Sequence, residues 1–314
     1  MEDVSSARAK RAQIDSIVNA RLKAGNFRHE VAKFIPQGTK NILDYGFGDG
    51  SLLLWLRREK FCRGLYGVEV DEASFKAMSG LYDKTWLLDL TRDDAHLEPE
   101  FEGFFSHVVM PMSLEHTYDP WYVLKKMNKY LQPGGSVIIE VPNAQSWESI
   151  YRLLTGDFPY VSGGTWDFSH IRWYTLKSLA DIGHVCGFKA ESYDLLFPSP
   201  VDFGEINAQE SITSICIPPP ELKVDCPPIT LSFPVDIKSI YPLLLAHVLL
   251  VKLVKVREPE DYSPTERDGY LESYRVTFQN PVAGLSGLIS HPICPPLFES
   301  VKRRAEELIK NNIY

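Results

Sequence analysis

The sequence has little cysteine. Cys62, Cys186, Cys216, Cys226 and Cys294 are odd in number, far apart, and include no Cys-x-x-Cys pair. That pattern suggests neither a disulfide framework nor a zinc site, so a reducing cytoplasm is the compartment it predicts. Basic excess is also missing: 33 lysines and arginines stand against 41 aspartates and glutamates. Gripping a phosphate backbone needs concentrated positive charge, so no nucleic-acid partner is expected. No apolar run reaches the about 20 residues of a membrane span. The best candidate, 243–256, carries His247, Lys252 and Lys255, and no transmembrane segment is predicted. The N-terminus mixes Arg8, Lys10 and Arg11 with Glu2, Asp3 and Asp15 and shows no signal-peptide core. No internal repeat is found.

What is present is an ordinary globular composition: 314 residues, 44% hydrophobic and 24% charged. Such a chain can bury a large core in one elaborated domain or two. Its organising stretch is 41–51. Ile42 and Leu43 lead into Asp44, then Gly46, Gly48 and Gly50 occupy alternate positions, and Leu52 to Leu56 open a helix. Strand, tight loop and helix start follow one another. Glycine lets a ligand approach the backbone, and the helix start offers unpaired N–H groups. A nucleotide-type cofactor on this loop is the first expectation.

The pattern then repeats. Gly64 to Asp71 is a second apolar run ending in acid, and Glu69 follows Gly50 at close to the spacing of about 20 residues at which an acid takes the hydroxyls of a ribose. Thr85 to Leu90 is a third run, ending at Asp89 and Leu90. Phe105 to Met112 is a fourth, Trp121 to Leu131 a helix, and Ser136 to Val141 a fifth, buried strand after the Leu131 to Gly135 break. Strands alternating with helices predict an α/β, doubly wound, mostly parallel sheet whose ligands sit beyond the carboxyl ends of the strands. Asp44, Glu69, Asp89 and the Met112 to His116 turn all fall there.

These residues carry a family resemblance. Asp44 with Gly46, Gly48 and Gly50; Gly67 to Asp71; Asp89 and Leu90; Leu114 to His116 with Asp119 and Pro120; and the Leu-Gln-Pro-Gly-Gly run to Gly135 resemble the ordered motifs of class I S-adenosylmethionine-dependent methyltransferases, over about 36 to 197. His170 to Thr175 and Leu179 to Phe188 are similar to a subgroup that includes sugar, polyketide and quinone O-methyltransferases. The resemblance implies that the three glycines cradle the methionine part of the cofactor, that Glu69 binds the ribose, and that Asp89 and Leu90 contact the adenine, with Asp44 and Met112 beside them. It also implies a seventh strand, antiparallel to the rest.

That strand is assigned to His247–Val256, after a sixth at Ala190 to Phe197. Residues 198–242 then form an insertion, expected to cap the substrate. Fifteen of the 22 prolines lie at or after Pro198, so irregular loops and short strands such as Ile229 to Val235 are expected. The division is therefore an N-terminal helical segment, 1–35, a methyltransferase domain, 36–256, and an extension, 257–314, ending in a helix at Leu297 to Asn311 and available for a homodimer.

Methyl transfer to a hydroxyl needs a base, and histidine suits that work near neutral pH. His116 and His170 are the candidates. Residues 143–168 are dense in aromatics, which suit sugar rings, planar ligands and a sulfonium; in the alternative they form a satellite hydrophobic cluster. Tyr151, Asp157, Trp166, Asp167 and Arg172 are the candidate acceptor-binding residues. No spacing calls for a metal. The expected acceptor is a sugar or glycan hydroxyl or another small molecule. A nucleotide-cofactor oxidoreductase is the alternative, although Ser51 stands where the dinucleotide pattern wants its third glycine. A non-catalytic cofactor-binding scaffold is the third reading.

Overall fold

The computed structural model describes residues 4–24, 28–198, 209–219 and 226–259. The expected helix at 297–311 and the homodimer through the C-terminal extension lie outside them. A seven-stranded sheet organises the chain, built from β1 (Thr39–Tyr45), β2 (Cys62–Glu69), β3 (Lys84–Leu87), β4 (Phe105–Pro111), β5 (Leu131–Pro142), β6 (Phe188–Leu196) and β9 (Val248–Lys255). Their spatial order is β3-β2-β1-β4-β5-β9-β6. A separate hairpin pairs β7 (Ser214–Ile217) with β8 (Ile229–Ser232), antiparallel.

From β3 through β5 every pairing is parallel. The chain returns antiparallel in β9. His247 meets Leu196 beside β6, while Val256 meets Gly187 at the other end, so the two strands run in opposite directions. On the β5 side, Asn143 donates to the His247 carbonyl and Lys255 reaches the carbonyls of Asn128 and Leu131. The expected antiparallel last strand is thus in place, with β6 at the sheet edge. The Leu131 to Gly135 break proves to be a register shift: Phe105 pairs with Leu131, but His107 already pairs with Ser136.

The chain divides into two compact units. Among the described residues, the first holds 4–24, 28–141, 178–194 and 249–259. Helices α1 (Val4–Ala24), α2 (Ser51–Arg58), α3 (Glu72–Met78), α4 (Pro120–Tyr130) and α6 (Leu176–Val185) belong to it. Fully parallel strands must be covered on both faces, and the β5 run Gly135–Pro142 is buried throughout. Leu52, Leu53, Leu54 and Leu56 of α2 bury against Ile42, Leu65 and Val109, and Ile14, Ile17 and Val18 of α1 join the same core. Each such side chain contributes about 1.5–3 kcal/mol when fully buried. Helix starts follow local chemistry: Asp71 and Asp119 accept from the backbone N–H groups of Ser74 and Tyr122, capping α3 and α4.

The second unit holds, among the described residues, 142–177, 195–198, 209–219 and 226–248. The aromatic stretch after β5 clusters here with residues 209–219 and 226–242. Helices α5 (Trp147–Leu154) and α7 (Tyr241–Leu245) supply its core with the hairpin: Trp147, Ile215, Ile217, Ile237, Ile240 and Leu244 are buried together. Among the described residues no helix is long and apolar enough to cross a membrane.

Candidate functional site

The parallel sheet changes direction between β1 and β4, and a crevice opens there beyond the strand ends. Three backbone features shape it. Gly46, Gly48 and Gly50 all have positive φ, at 72°, 50° and 65°. A side chain on Gly46 would press within 3.1 Å of the Ser113 hydroxyl, and one on Gly50 would meet Met78 Sδ at 2.7 Å. Met112 also has positive φ, 49°, a strained conformation for a side chain of its size. Its N–H donates to the Glu140 carbonyl at 2.7 Å, and Ser113 Oγ donates to the Tyr45 carbonyl at 2.9 Å, so the β4 turn is held against the glycine loop.

Two cavities meet at Gly46. The larger, about 410 Å³, is lined by Gly46, Glu69, Val70, Asp89, Met112 and His116 among others. The smaller, about 360 Å³, is lined by Arg21, Arg28, Asp44, Gly46, Gly48 and Ser51 among others. The structure therefore brings together Asp44, Gly46, Gly48, Glu69, Asp89, Met112 and His116. Two residues expected with them line neither cavity. Gly50 caps α2, and the Leu90 side chain is buried.

Glu69 is buried and already committed. Its Oε2 accepts from Gly48 N at 2.7 Å, and Oε1 accepts from Val70 N and Asp71 N at 2.8 and 3.0 Å. A carboxylate offers about four acceptor sites. One further bond at Oε2 is therefore available to a ribose hydroxyl, rather than the two-oxygen grip that its position suggested. Asp89 uses Oδ1 for Thr91 N and Oγ, at 3.0 and 2.6 Å.

Asp44 is the most perturbed acid here. Burial pushes it up to about 8, the Tyr82 hydroxyl pulls it back, and the carboxylates of Glu69 and Asp49 push it up again. Its Oδ1 is buried with no hydrogen-bond partner among the described residues. Beside it stand Arg21, paired with Asp49 at 3.0 Å, and Arg28, paired with Glu140. A cavity that offers an orphaned carboxylate oxygen next to two guanidinium groups fits the zwitterion of an α-amino acid. The neighbouring cavity, with Val68, Val70 and Leu88 as apolar walls and acids at Glu69 and Asp89, fits a nucleoside. A pyrophosphate, by contrast, would meet Asp44, Asp49 and Glu69.

A titration follows from this. Asp44 holds its proton in the ligand-free protein across neutral pH, because its folded value lies well above the ordinary carboxyl value. Between those two values the folded state binds more protons than the unfolded one, so Asp44 costs stability as pH rises through that window. An ammonium placed at Oδ1 favours the ionised form. Calorimetry of S-adenosylhomocysteine binding in buffers of differing ionisation enthalpy is expected to show close to one proton released near pH 7, and none for Asp44→Asn. Equal proton counts in the two proteins would exclude Asp44 as the ammonium partner.

The remaining sequence candidates belong to the second unit. His170 is buried, with Nδ1 3.1 Å from the Thr165 carbonyl. Asp167 accepts from Gly163 N and from Ser169 N and Oγ, which pull it down to about 2. Asp157 pairs with Arg152 at 2.6 Å, and the Tyr151 hydroxyl donates to the Pro227 carbonyl at 2.9 Å. Trp166 is buried edge-on to Phe158, at 4.4 Å between centroids, and near Trp173. Arg172 is half-buried. Phe158, Tyr160 and Phe168 remain exposed. The stretch is thus a packed aromatic cluster with an exposed aromatic face. Sequence reasoning missed Arg21, Arg28 and Thr91 as cavity-lining residues; for the arginines, the only available signal was two cations flanking the end of an amphipathic segment.

The model of the methyltransferase domain family matches residues 18–193, more than half of the chain. No curated protein matches the sequence. Solved structures that resemble it include an S-adenosylmethionine-dependent methyltransferase from Archaeoglobus fulgidus (16% identity, 73% of this chain and 91% of that one, TM-score 0.45). Another, from Mesorhizobium loti, has 16% identity over 72% of this chain and 95% of that one, with a TM-score of 0.44. A third is the Burkholderia thailandensis 1,6-didemethyltoxoflavin-N1-methyltransferase with bound S-adenosylhomocysteine (13% identity, 82% and 92%, TM-score 0.42). The chain belongs to the methyltransferase domain family.

Proposed function

We propose that this enzyme methylates a hydroxyl of a sugar, a glycan or another small molecule in a reducing cytoplasm. The observation that carries the reading is the position of His116: exposed, on the wall of the larger cavity, and one turn beyond Met112. The adenosine end of the cofactor is assigned to that cavity, with Glu69 Oε2 on the ribose and Asp89 on the purine, and the amino-acid end to Asp44, Gly48, Arg21 and Arg28. Bound there, the sulfonium supplies an electrophilic methyl group. The protein has to hold the acceptor oxygen in line at about 3 Å and keep water away. His116 takes the hydroxyl proton as the oxygen attacks and the bond from the methyl carbon to sulfur breaks.

Two measurements test the reading. S-adenosylhomocysteine at about 100 times its Kd is expected to stabilise the fold by about 2.7 kcal/mol, and NAD(P) not at all. An acceptor panel with labelled methyl donor is expected to label hydroxyl compounds. Labelling confined to amines would overturn O-methylation while leaving the cofactor assignment intact.

A further inference from the structure

The loop that follows β3 is pinned from behind by a buried cation. Lys126, on α4, is only 6% exposed. Its Nζ donates to the carbonyls of Leu90, Arg92 and Ala95 at 3.1, 2.5 and 2.8 Å. All three ammonium hydrogens are thereby used. The same ammonium lies 4.4 Å from the centre of the Tyr122 ring, and the Tyr122 hydroxyl bonds Asp93. One face of α4 therefore holds four successive points of the 90–95 segment. Burying an ammonium is expensive unless its bonds are complete. Here the desolvation that pulls Lys126 down is opposed by the carboxylates of Asp93, Asp89 and Asp94.

The other face of this loop is the wall of the larger cavity. Leu88, Asp89 and Thr91 line it, and Leu88 N donates to the Glu69 carbonyl at 2.9 Å, fixing the start of the loop as Lys126 fixes its end. With Oδ1 taken by Thr91, Asp89 Oδ2 is the acceptor left for a ligand among the described residues. A purine amino group would donate to it, whereas the carbonyl of hypoxanthine at the same place would face carboxylate lone pairs. Such discrimination depends on where the oxygen is held. A loop free to move by an ångström could turn to accommodate either base.

We propose that Lys126 is a positioning residue that fixes the 88–95 loop for reading the purine edge, and that it thereby sets the preference for adenine over hypoxanthine. The inference rests on Asp89 facing the purine. S-adenosylhomocysteine and S-inosylhomocysteine are titrated calorimetrically into the wild type, Lys126→Met and Asp89→Asn. The wild type is expected to prefer the adenine compound by about 100-fold, since a site built around one hydrogen bond rejects the analogue that cannot make it. In Lys126→Met the preference is expected to fall to about tenfold or less, with adenine affinity itself down by about tenfold, one lost charged hydrogen bond's worth of positioning. A general loss of stability would shift both ligands together and leave the ratio alone.

A folded Lys126→Met protein with the wild-type ratio overturns the role of Lys126. Asp89→Asn with the wild-type ratio overturns the purine assignment instead, so the two failures are separate. If Lys126→Met does not fold, Lys126→Arg carries the same test. It keeps the charge but spreads its N–H groups over a plane, so an intermediate ratio is expected and an unchanged one is again fatal.

Discussion

Glu69→Ala is expected to lower affinity for S-adenosylhomocysteine by more than about 100-fold. The figure combines one charged hydrogen bond to the ribose, about 1.5–3 kcal/mol, with the amides of Gly48, Val70 and Asp71 left without their acceptor, at about 1–3 kcal/mol for each one that stays buried. Because Gly48 N sits on Oε2 at 2.7 Å, the substitution also releases the glycine loop from the end of β2. Thermal unfolding of the ligand-free variant should therefore shift downward as well. Glu69→Gln is the informative companion: its amide keeps one oxygen for Gly48 or for Val70 and Asp71, but not for all three. Its affinity is expected between the other two. Wild-type affinity in Glu69→Ala would show that the ribose lies elsewhere.

His116→Ala is expected to reduce kcat by about 10²- to 10⁴-fold, the range for loss of a general base, with affinity for S-adenosylhomocysteine far less affected. His116 is exposed on the cavity wall. His170→Ala is the matched control. That ring is buried against the Thr165 carbonyl in a segment where Trp173 Nε1 also bonds Thr165, at 3.0 Å, so its loss should lower stability first. Full turnover in His116→Ala, or a collapse of kcat without loss of stability in His170→Ala, would move the base to the second histidine. Measuring the pH dependence of turnover adds a check, since an acid limb present in the wild type should vanish with the true base.

Much of the fold was legible because its strands announce themselves chemically. Ile42 to Asp44, Val68 to Glu69 and Val108 to Met110 are apolar runs closed by a loop, and a parallel strand buried on both faces must look like that. The last strand was legible for the opposite reason: four valines with lysines toward its end, far along the chain, in the next strongly apolar run after the sixth strand. Helix α3 was passed over. Only Met78 of it is buried, so no apolar stripe marks it, although Asp71 and Ser74 form a recognisable cap. The hairpin β7–β8 depends on pairing between segments flanking a proline cluster, which local pattern does not encode.

The site divides in the same way. Glycine spacing and acids at strand ends are local signals, and they were readable. Arg21 was not, because a helix that packs on a core and one that also delivers a cation to a cavity have the same periodicity. Lys126 was invisible for a stronger reason. In sequence it is one of two adjacent lysines on an amphipathic helix; only the return of the 90–95 loop, some thirty residues earlier, supplies the carbonyls that make one of the pair a buried ion.

The place of β9 in the sheet has a consequence for how the chain is made. Strands β5 and β6 are both synthesised before it, yet it must slide between them. At about 5–20 residues per second, the roughly sixty residues from the end of β6 to the end of β9 take about 3–12 s to emerge from the ribosome. Until then two strands carry unpaired edges toward a gap one strand wide, and such edges recruit foreign strands. Slower translation of 197–255 should therefore lower the soluble yield of this enzyme, whereas equal slowing downstream of 255 should not.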